Sequence, residues 1–301
     1  MRPLRALASI TAAVAYAVIV IGFIVRITGS GMGCGPDWPL CNGAVIPAFT
    51  GSEVVIEWTH RVAVLALSGL TLAVVAVAYT RRSGPGGRGA GGTWRPALWV
   101  LGLFVIQSLV GRQAVRVELE SLTVVIHLGL ALALLAVLIV LGLRAGVHAG
   151  VTAPPVHPAT GRGAAWGALA LGSIALLLGG LTVHLGATGA CTGFPLCSGR
   201  IWPDSGLAHL QWTHRVVAYL LLLHSIGLVM GLRRRATDVR LVHAGWMTLG
   251  LVTAQVAIAA VMVLAGFPAV WRALHAVVGT GLWVVLIYLG WLTTPRRGAA
   301  G

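Results

Sequence analysis

The chain has 301 residues, of which 57% are hydrophobic and 9% charged, whereas about 25% are charged in an ordinary soluble domain. With a mean hydropathy of +0.91, this composition excludes a soluble globular protein. A formal net charge of +14 would suit a nucleic-acid binder, but all 21 basic residues are arginine, and they flank apolar stretches without forming a basic domain. They read as topology signals and lipid contacts, and no nucleic-acid partner is expected.

Crossing roughly 30 Å of hydrocarbon takes about 20 apolar residues in a helix. Eight stretches qualify, at about 7–26, 59–80, 96–112, 121–143, 165–186, 210–232, 241–264 and 271–292. The first follows Arg2 and Arg5, lacks an early small-residue cleavage site and takes part in an internal repeat. It is therefore read as a retained span and not as a signal peptide. Next comes a cysteine-bracketed loop, Cys34-Gly-Pro-Asp-Trp-Pro-Leu-Cys41, and then the hexapeptide Glu57-Trp-Thr-His-Arg-Val62 at the start of the second span. The third span is the shortest and ends near Arg112, and the fourth carries His127.

The stretch 145–163, rich in Gly, Pro and Thr and containing Pro154, Pro155 and Pro158, reads as a cytoplasmic linker. The pattern then begins again. Cys191-Thr-Gly-Phe-Pro-Leu-Cys197 precedes Gln211-Trp-Thr-His-Arg-Val216, and His275 lies near the start of the eighth span. The repeat also pairs Val25-Arg26-Ile27 with Val183-His184-Leu185. Leu101-Gly-Leu103 and Gln107 likewise match Leu249-Gly-Leu251 and Gln255. Each half has four spans, an even number, so both halves enter the membrane from the same side. The expected fold is an all-α integral membrane protein. It has eight transmembrane helices in two four-helix bundles, 1–144 and 164–301, a parallel repeat with a pseudo-twofold axis along the membrane normal.

Fourteen arginines lie at the two termini and in the second, fourth and sixth loops: Arg2, Arg5, Arg81, Arg82, Arg88, Arg95, Arg144, Arg162, Arg233, Arg234, Arg235, Arg240, Arg296 and Arg297. Cytoplasmic loops carry the Lys/Arg excess, so both termini are expected in the cytoplasm. Six of the seven acids, Asp37, Glu53, Glu57, Glu118, Glu120 and Asp204, fall on the other side. So do all four cysteines. On an oxidising outer face, the favoured reading is two short disulfides, Cys34–Cys41 and Cys191–Cys197. The rival, a metal site, lacks the C-x₂-C spacing and paired histidines that zinc usually takes. Without a C-x-x-C-H motif, covalent c-type heme attachment is excluded.

Spans two, four, six and eight all run from outside to inside, which places His60, His127, His214 and His275 in the outer third of the membrane. A single histidine in a span is usually a hydrogen-bonded packing residue. Two symmetric pairs point instead to bis-axial heme ligation within each bundle, since ionisable groups in a membrane are costly and usually functional. Arg61 and Arg215 are candidates to pair with heme propionates; the plainer reading is that they snorkel to the interface. His148, His157 and His243 fall on the cytoplasmic side without partners. His184 and His209 lie near the outer surface, and His224 sits deeper on span six with no counterpart in the first half.

The whole arrangement resembles the heme A synthase family, on the acid-x-x-His-Arg motif at Glu57–Arg61, the later histidines, the cysteine loop and the duplication. The resemblance implies oxidation of the C8 methyl of heme O to a formyl group, by two hydroxylations and loss of water from the geminal diol. It implies heme O in the N-terminal half at His60 and His127, and a resident cofactor, heme b, held by His214 and His275. It also implies a bacterial-type plasma membrane location, heme O synthase (a protoheme farnesyltransferase) as supplier, and cytochrome oxidase assembly as destination. The electron partner and the source of oxygen stay unassigned. Arg112 departs from the small, Gly-rich turn expected after span three.

Glu57 and His60 are three residues apart and share a helical face. Glu57 is thus the candidate catalytic acid, relaying protons or assisting dehydration. Gln211, its counterpart, cannot deliver a proton. The plainer reading of Glu57 is that it orders the loop. Against the enzyme stand a two-heme membrane electron carrier and, third, a transporter, which lacks discontinuous helices and a polar midplane site.

Overall fold

The computed structural model describes residues 1–89, 91–156, 161–235 and 238–294. His157, Pro158, Arg296 and Arg297 lie outside the described residues. The described chain forms eight α-helices: α1 Arg2–Ile27, α2 Ser52–Thr80, α3 Trp94–Arg116, α4 Ser121–His148, α5 Arg162–His184, α6 Gly206–Arg235, α7 Val239–Leu264 and α8 Ala269–Leu292. All eight are long and apolar enough to cross a membrane. No strand occurs among the described residues, only the isolated bridges Cys41–Ala44 and Cys197–Arg200. This is a multi-pass, all-α membrane protein.

Several helices outrun their apolar stretches. α2 starts at Ser52, ahead of the apolar run, because its first turns carry Ser52, Glu53 and Glu57, which are good helix residues but invisible to a hydropathy window. At about 1.5 Å per residue, the 29 residues of α2 and 30 of α6 are longer than roughly 30 Å of hydrocarbon requires. The expectation about Arg112 is corrected in the same way. α3 runs on to Arg116, so Arg112 is helical, and the turn is built by Glu118 and Leu119 at φ 50° and 63°. Glu120 then caps α4. Its carboxylate accepts the Leu122 and Thr123 amides at 2.9 and 2.7 Å, and those bonds hold its carboxyl below the usual range.

Two compact units divide the chain between Pro154 and Pro155, within the Pro-rich stretch; α4 ends at His148 and α5 begins at Arg162. In the first unit α1 and α3 each pack against both α2 and α4, and the backbones of the diagonal pairs α1/α3 and α2/α4 stay apart among the described residues. The second unit repeats this ring, with α5 and α7 each against α6 and α8. The largest fully buried side chains include Leu4, Leu138 and Leu141 in the first unit and Leu232, Leu286 and Leu289 in the second. None of that fully buried set lies within two turns of His60, His127, His214 or His275 along its own helix. The largest buried apolar side chains of each bundle thus gather at the end away from the cysteine loops.

Candidate functional site

At one end of each bundle a disulfide-closed ring is tied down on the second helix. Cys34–Cys41 and Cys191–Cys197 are bonded, with Cα–Cα distances of 4.3 and 4.6 Å, and all four cysteines are buried. There is no free cysteine and no cluster of His, Cys, Asp or Glu fit for a metal ion among the described residues.

The tie is a clasp made by the residues one turn apart on either side of the histidine. In the first unit the Cys34 amide donates to Glu57 Oε2 at 2.8 Å, and Arg61 donates to Glu57 Oε1 through Nε at 3.1 Å and Nη2 at 2.5 Å. The Arg61 guanidinium also donates to the carbonyls of Asp37 at 2.7 Å, Leu40, and Gly35 at 3.4 Å. In the second unit the Cys191 amide donates to Gln211 Oε1 at 2.5 Å, and Gln211 Nε2 donates to the Thr188 carbonyl at 2.8 Å. Arg215 reaches the carbonyls of Gly193, Leu196 and Cys191, each at 2.9 Å. Charge-assisted bonds of this kind are roughly twice as strong as neutral ones, so each loop is folded around a guanidinium. The donors of Arg61 and Arg215, read from the sequence as propionate candidates, are directed at loop carbonyls. Glu57, read as the candidate acid, has both oxygens engaged in the first clasp.

Beneath each clasp lie the histidines. His60 on α2 faces His127 on α4, and His214 on α6 faces His275 on α8. Each pair therefore spans a diagonal of its bundle, between helices whose backbones stay apart. Glycines on neighbouring helices lie against three of the rings, and at two of them, Gly111 and Gly179, a side chain would crowd the imidazole. A Cβ at Gly22 on α1 would lie 3.5 Å from His60 Nε2, one at Gly111 on α3 would lie 2.7 Å from His127 Cε1, and one at Gly179 on α5 would lie 3.0 Å from His214 Cε1. Sequence reading missed these glycines. Glycine inside a helix costs about 1 kcal/mol relative to alanine and so invites a question, but among 41 glycines that signal is lost.

The buried polar atoms are unusual. Nδ1 of His127, His214 and His275, together with Oε1 of Gln107 and Gln255, are buried without a hydrogen-bond partner. Each such group costs about 1–3 kcal/mol when left unsatisfied. The two glutamines also differ. Gln107 Nε2 meets the His127 ring at Nε2, 3.3 Å away, whereas Gln255 Nε2 donates to the backbone carbonyl of His275 at 2.8 Å. Imidazole pairs with spare nitrogens, set across a diagonal gap and lined by glycine, fit a flat metalloporphyrin held by two axial histidines.

Of the other histidines, His224 pins α6 to the start of α5 through the Ala164 carbonyl at 2.7 Å. His148 meets the Gly91 carbonyl at 3.1 Å, and His209 the Ser205 carbonyl at 2.8 Å. His184 ends α5, and His243 is exposed on α7.

Fold and site together define a class, a duplicated multi-pass membrane protein with a histidine pair in each four-helix bundle beneath a disulfide-closed loop. The cytochrome oxidase assembly protein family matches residues 5–52 and 48–287. A heme A synthase from Symbiobacterium thermophilum is 33% identical over 98% of this chain and 97% of its own. A heme A synthase from Exiguobacterium sp. (strain ATCC BAA-1283 / AT1b) is 32% identical over 94% and 92%, and one from Geobacillus thermodenitrificans 29% over 99% and 94%. The chain belongs to the heme A synthase family.

Proposed function

We propose that this chain is a heme A synthase, an oxidoreductase that takes heme O as substrate and converts its C8 methyl to a formyl group by two hydroxylations and dehydration, supplying heme A for cytochrome oxidase assembly. The observation that carries this reading is the end-to-end match to heme A synthases in a chain whose histidine pairs suit two porphyrins. Heme O synthase, the protoheme farnesyltransferase, is the reaction that must supply the substrate. The cysteine loops and histidines face outward, and both termini lie in the cytoplasm.

In this reading His60 and His127 hold heme O in the first bundle, and His214 and His275 hold heme b in the second. Bound heme b supplies a one-electron redox couple. A difference between the glutamine side chains favours the division: the Gln107 amide lies against the His127 ring, as suits a ligand that must let product go, whereas the Gln255 amide is spent on the His275 backbone carbonyl. Glu57 lies one turn from His60, and its carboxylate is the one ionisable acid in either clasp. Its role is to hold and release a proton at Oε1 or Oε2 when the Arg61 contact loosens, while Arg61 and Arg215 keep the loops seated.

The test is coexpression with a heme O supply, followed by extraction and chromatography of the hemes. Heme A or its alcohol intermediate is expected. Recovery of heme b alone would make the protein a two-heme electron carrier.

A further inference from the structure

The two disulfide loops are cut to one pattern but fastened differently. Aligning the hexapeptides brings Leu65 opposite Tyr219, each four residues beyond its arginine and so on the same helical face. The loops align as well, Trp38-Pro39-Leu40 with Phe194-Pro195-Leu196.

In the second unit the Tyr219 hydroxyl donates to the Pro195 carbonyl at 2.7 Å. Its ring meets Phe194 edge-on at 6.1 Å and Trp212 at 6.4 Å. Phe194 and Leu196 are half-buried, and Arg215 is buried. In the first unit Leu65 is 70% exposed and has no hydroxyl to give, and no hydrogen bond reaches the Pro39 carbonyl among the described residues. Trp38 and Leu40 are exposed, and Trp58, although it packs on the Cys34–Cys41 cluster as Trp212 packs on its own, has no tyrosine beside it. It packs on Phe49 and donates to the Val45 carbonyl at 2.9 Å. The first cap therefore hangs on its arginine and glutamate, and the second carries an additional aromatic fastening at the tip of its ring.

Resting on the two-heme reading above, we infer that Tyr219 is the latch that makes the heme of the second bundle resident, and that Leu65 leaves the first cap free to admit heme O and release heme A. Both caps sit one residue from an axial histidine, since Arg61 and Arg215 adjoin His60 and His214. A porphyrin leaving towards the outer face must displace the cap, so the fastening of the cap sets the exchange rate. Tyr219 and Leu65 are positioning residues and take no part in the chemistry.

The experiment uses the purified, heme-loaded protein in detergent. Amide hydrogen exchange is followed in the 34–41 and 191–197 loops, and heme loss by transfer to excess apomyoglobin. In the wild type the 34–41 loop should exchange faster. Tyr219→Phe keeps the ring and removes only the hydroxyl. It should speed exchange in 191–197 and heme b transfer by roughly threefold to tenfold, the worth of one net hydrogen bond, with the starting low-spin spectrum unchanged. Leu65→Tyr should slow exchange in 34–41 and slow heme O uptake, leaving heme b retention as it was. Unchanged heme b transfer in Tyr219→Phe, whether or not the loop loosens, would overturn the latch. A His214→Ala protein that keeps the low-spin heme b spectrum would instead sink the two-heme reading itself, so the two failures are distinguishable.

Discussion

Replacing Glu57 with glutamine makes the first clasp chemically like the second, and the structure says what should survive. Gln211 already shows that an amide oxygen accepts the cysteine amide, at 2.5 Å, so the bond from Cys34 is retained. What disappears is the ion pair with Arg61, whose side chains are 5% and 11% exposed for Glu57 and Arg61. Removing one partner of a buried pair can cost about 3–5 kcal/mol, because a bare charge is left behind. Here the charge is not bare. Arg61 keeps the carbonyls of Asp37, Leu40 and Gly35, as Arg215 is satisfied by carbonyls without any acid. The expected loss of stability is therefore about 1–2 kcal/mol, the lower part of the range for hydrogen bonds to charged groups. The expected loss of turnover is about 10²–10⁴-fold if the carboxyl handles a proton. Chromatography of extracted hemes reads the second quantity, and the low-spin spectrum together with thermal unfolding reads the first. A variant that folds, holds heme b and makes heme A at nearly the wild-type rate would confine Glu57 to the loop.

Alanine at His214 or His275 should abolish the low-spin heme b spectrum, and alanine at His60 or His127 should stop heme A formation while sparing that spectrum; equal loss in all four would refute the division between bundles. Gly111→Ala puts a methyl 2.7 Å from His127 Cε1, so the ring must move, and turnover should fall at least about tenfold, the effect of misplacing a positioning group by a fraction of an ångström. The same change at Gly102, where a Cβ meets nothing within 4 Å, should leave turnover at the wild-type level. Cys34→Ala should cost about 2–3 kcal/mol of stability through loop entropy and should cut activity, because the bridge to Cys41 holds the loop whose backbone amide reaches Glu57. Cys191→Ala should chiefly loosen heme b, measurable as faster transfer to apomyoglobin.

Much of this architecture was legible because membrane insertion imposes a coarse code. Eight apolar runs and the four spans in each half need no side-chain detail. Helix ends were less legible: Ser52, Glu53 and Arg112 are polar but helical, and hydropathy cannot distinguish a helix leaving the hydrocarbon from a loop beginning there. The glycines beside the histidines were hidden for a different reason. Gly111 matters because α3 lies against the His127 ring, and that neighbour is a fact of packing between helices, with no local signature. The guanidinium-centred clasps were hidden too, since an arginine beside a histidine at an interface suggests an anionic ligand as readily as loop carbonyls.

The repeated hexapeptide now divides into two parts. Trp58 and Trp212 pack on the cysteine clusters of their loops. Thr59 and Thr213 return their hydroxyls to their own helix, at Val55 and His209, at 2.7 and 2.8 Å. Arg61 and Arg215 carry the loop carbonyls, and Glu57 and Gln211 carry the cysteine amides. All of these would be kept by a duplicated structural cap with no chemistry beneath it. The histidine is the polar residue of the motif that the cap leaves without a task. In the second unit His214 Nδ1 is buried without a partner, and Gly179 gives the ring its room at the cost of a good helix residue. A buried histidine inside a membrane span is costly even where it finds a backbone contact. Its presence in both copies, each time with a second histidine on the diagonal helix, makes sense when each cap closes over something that the two histidines bind.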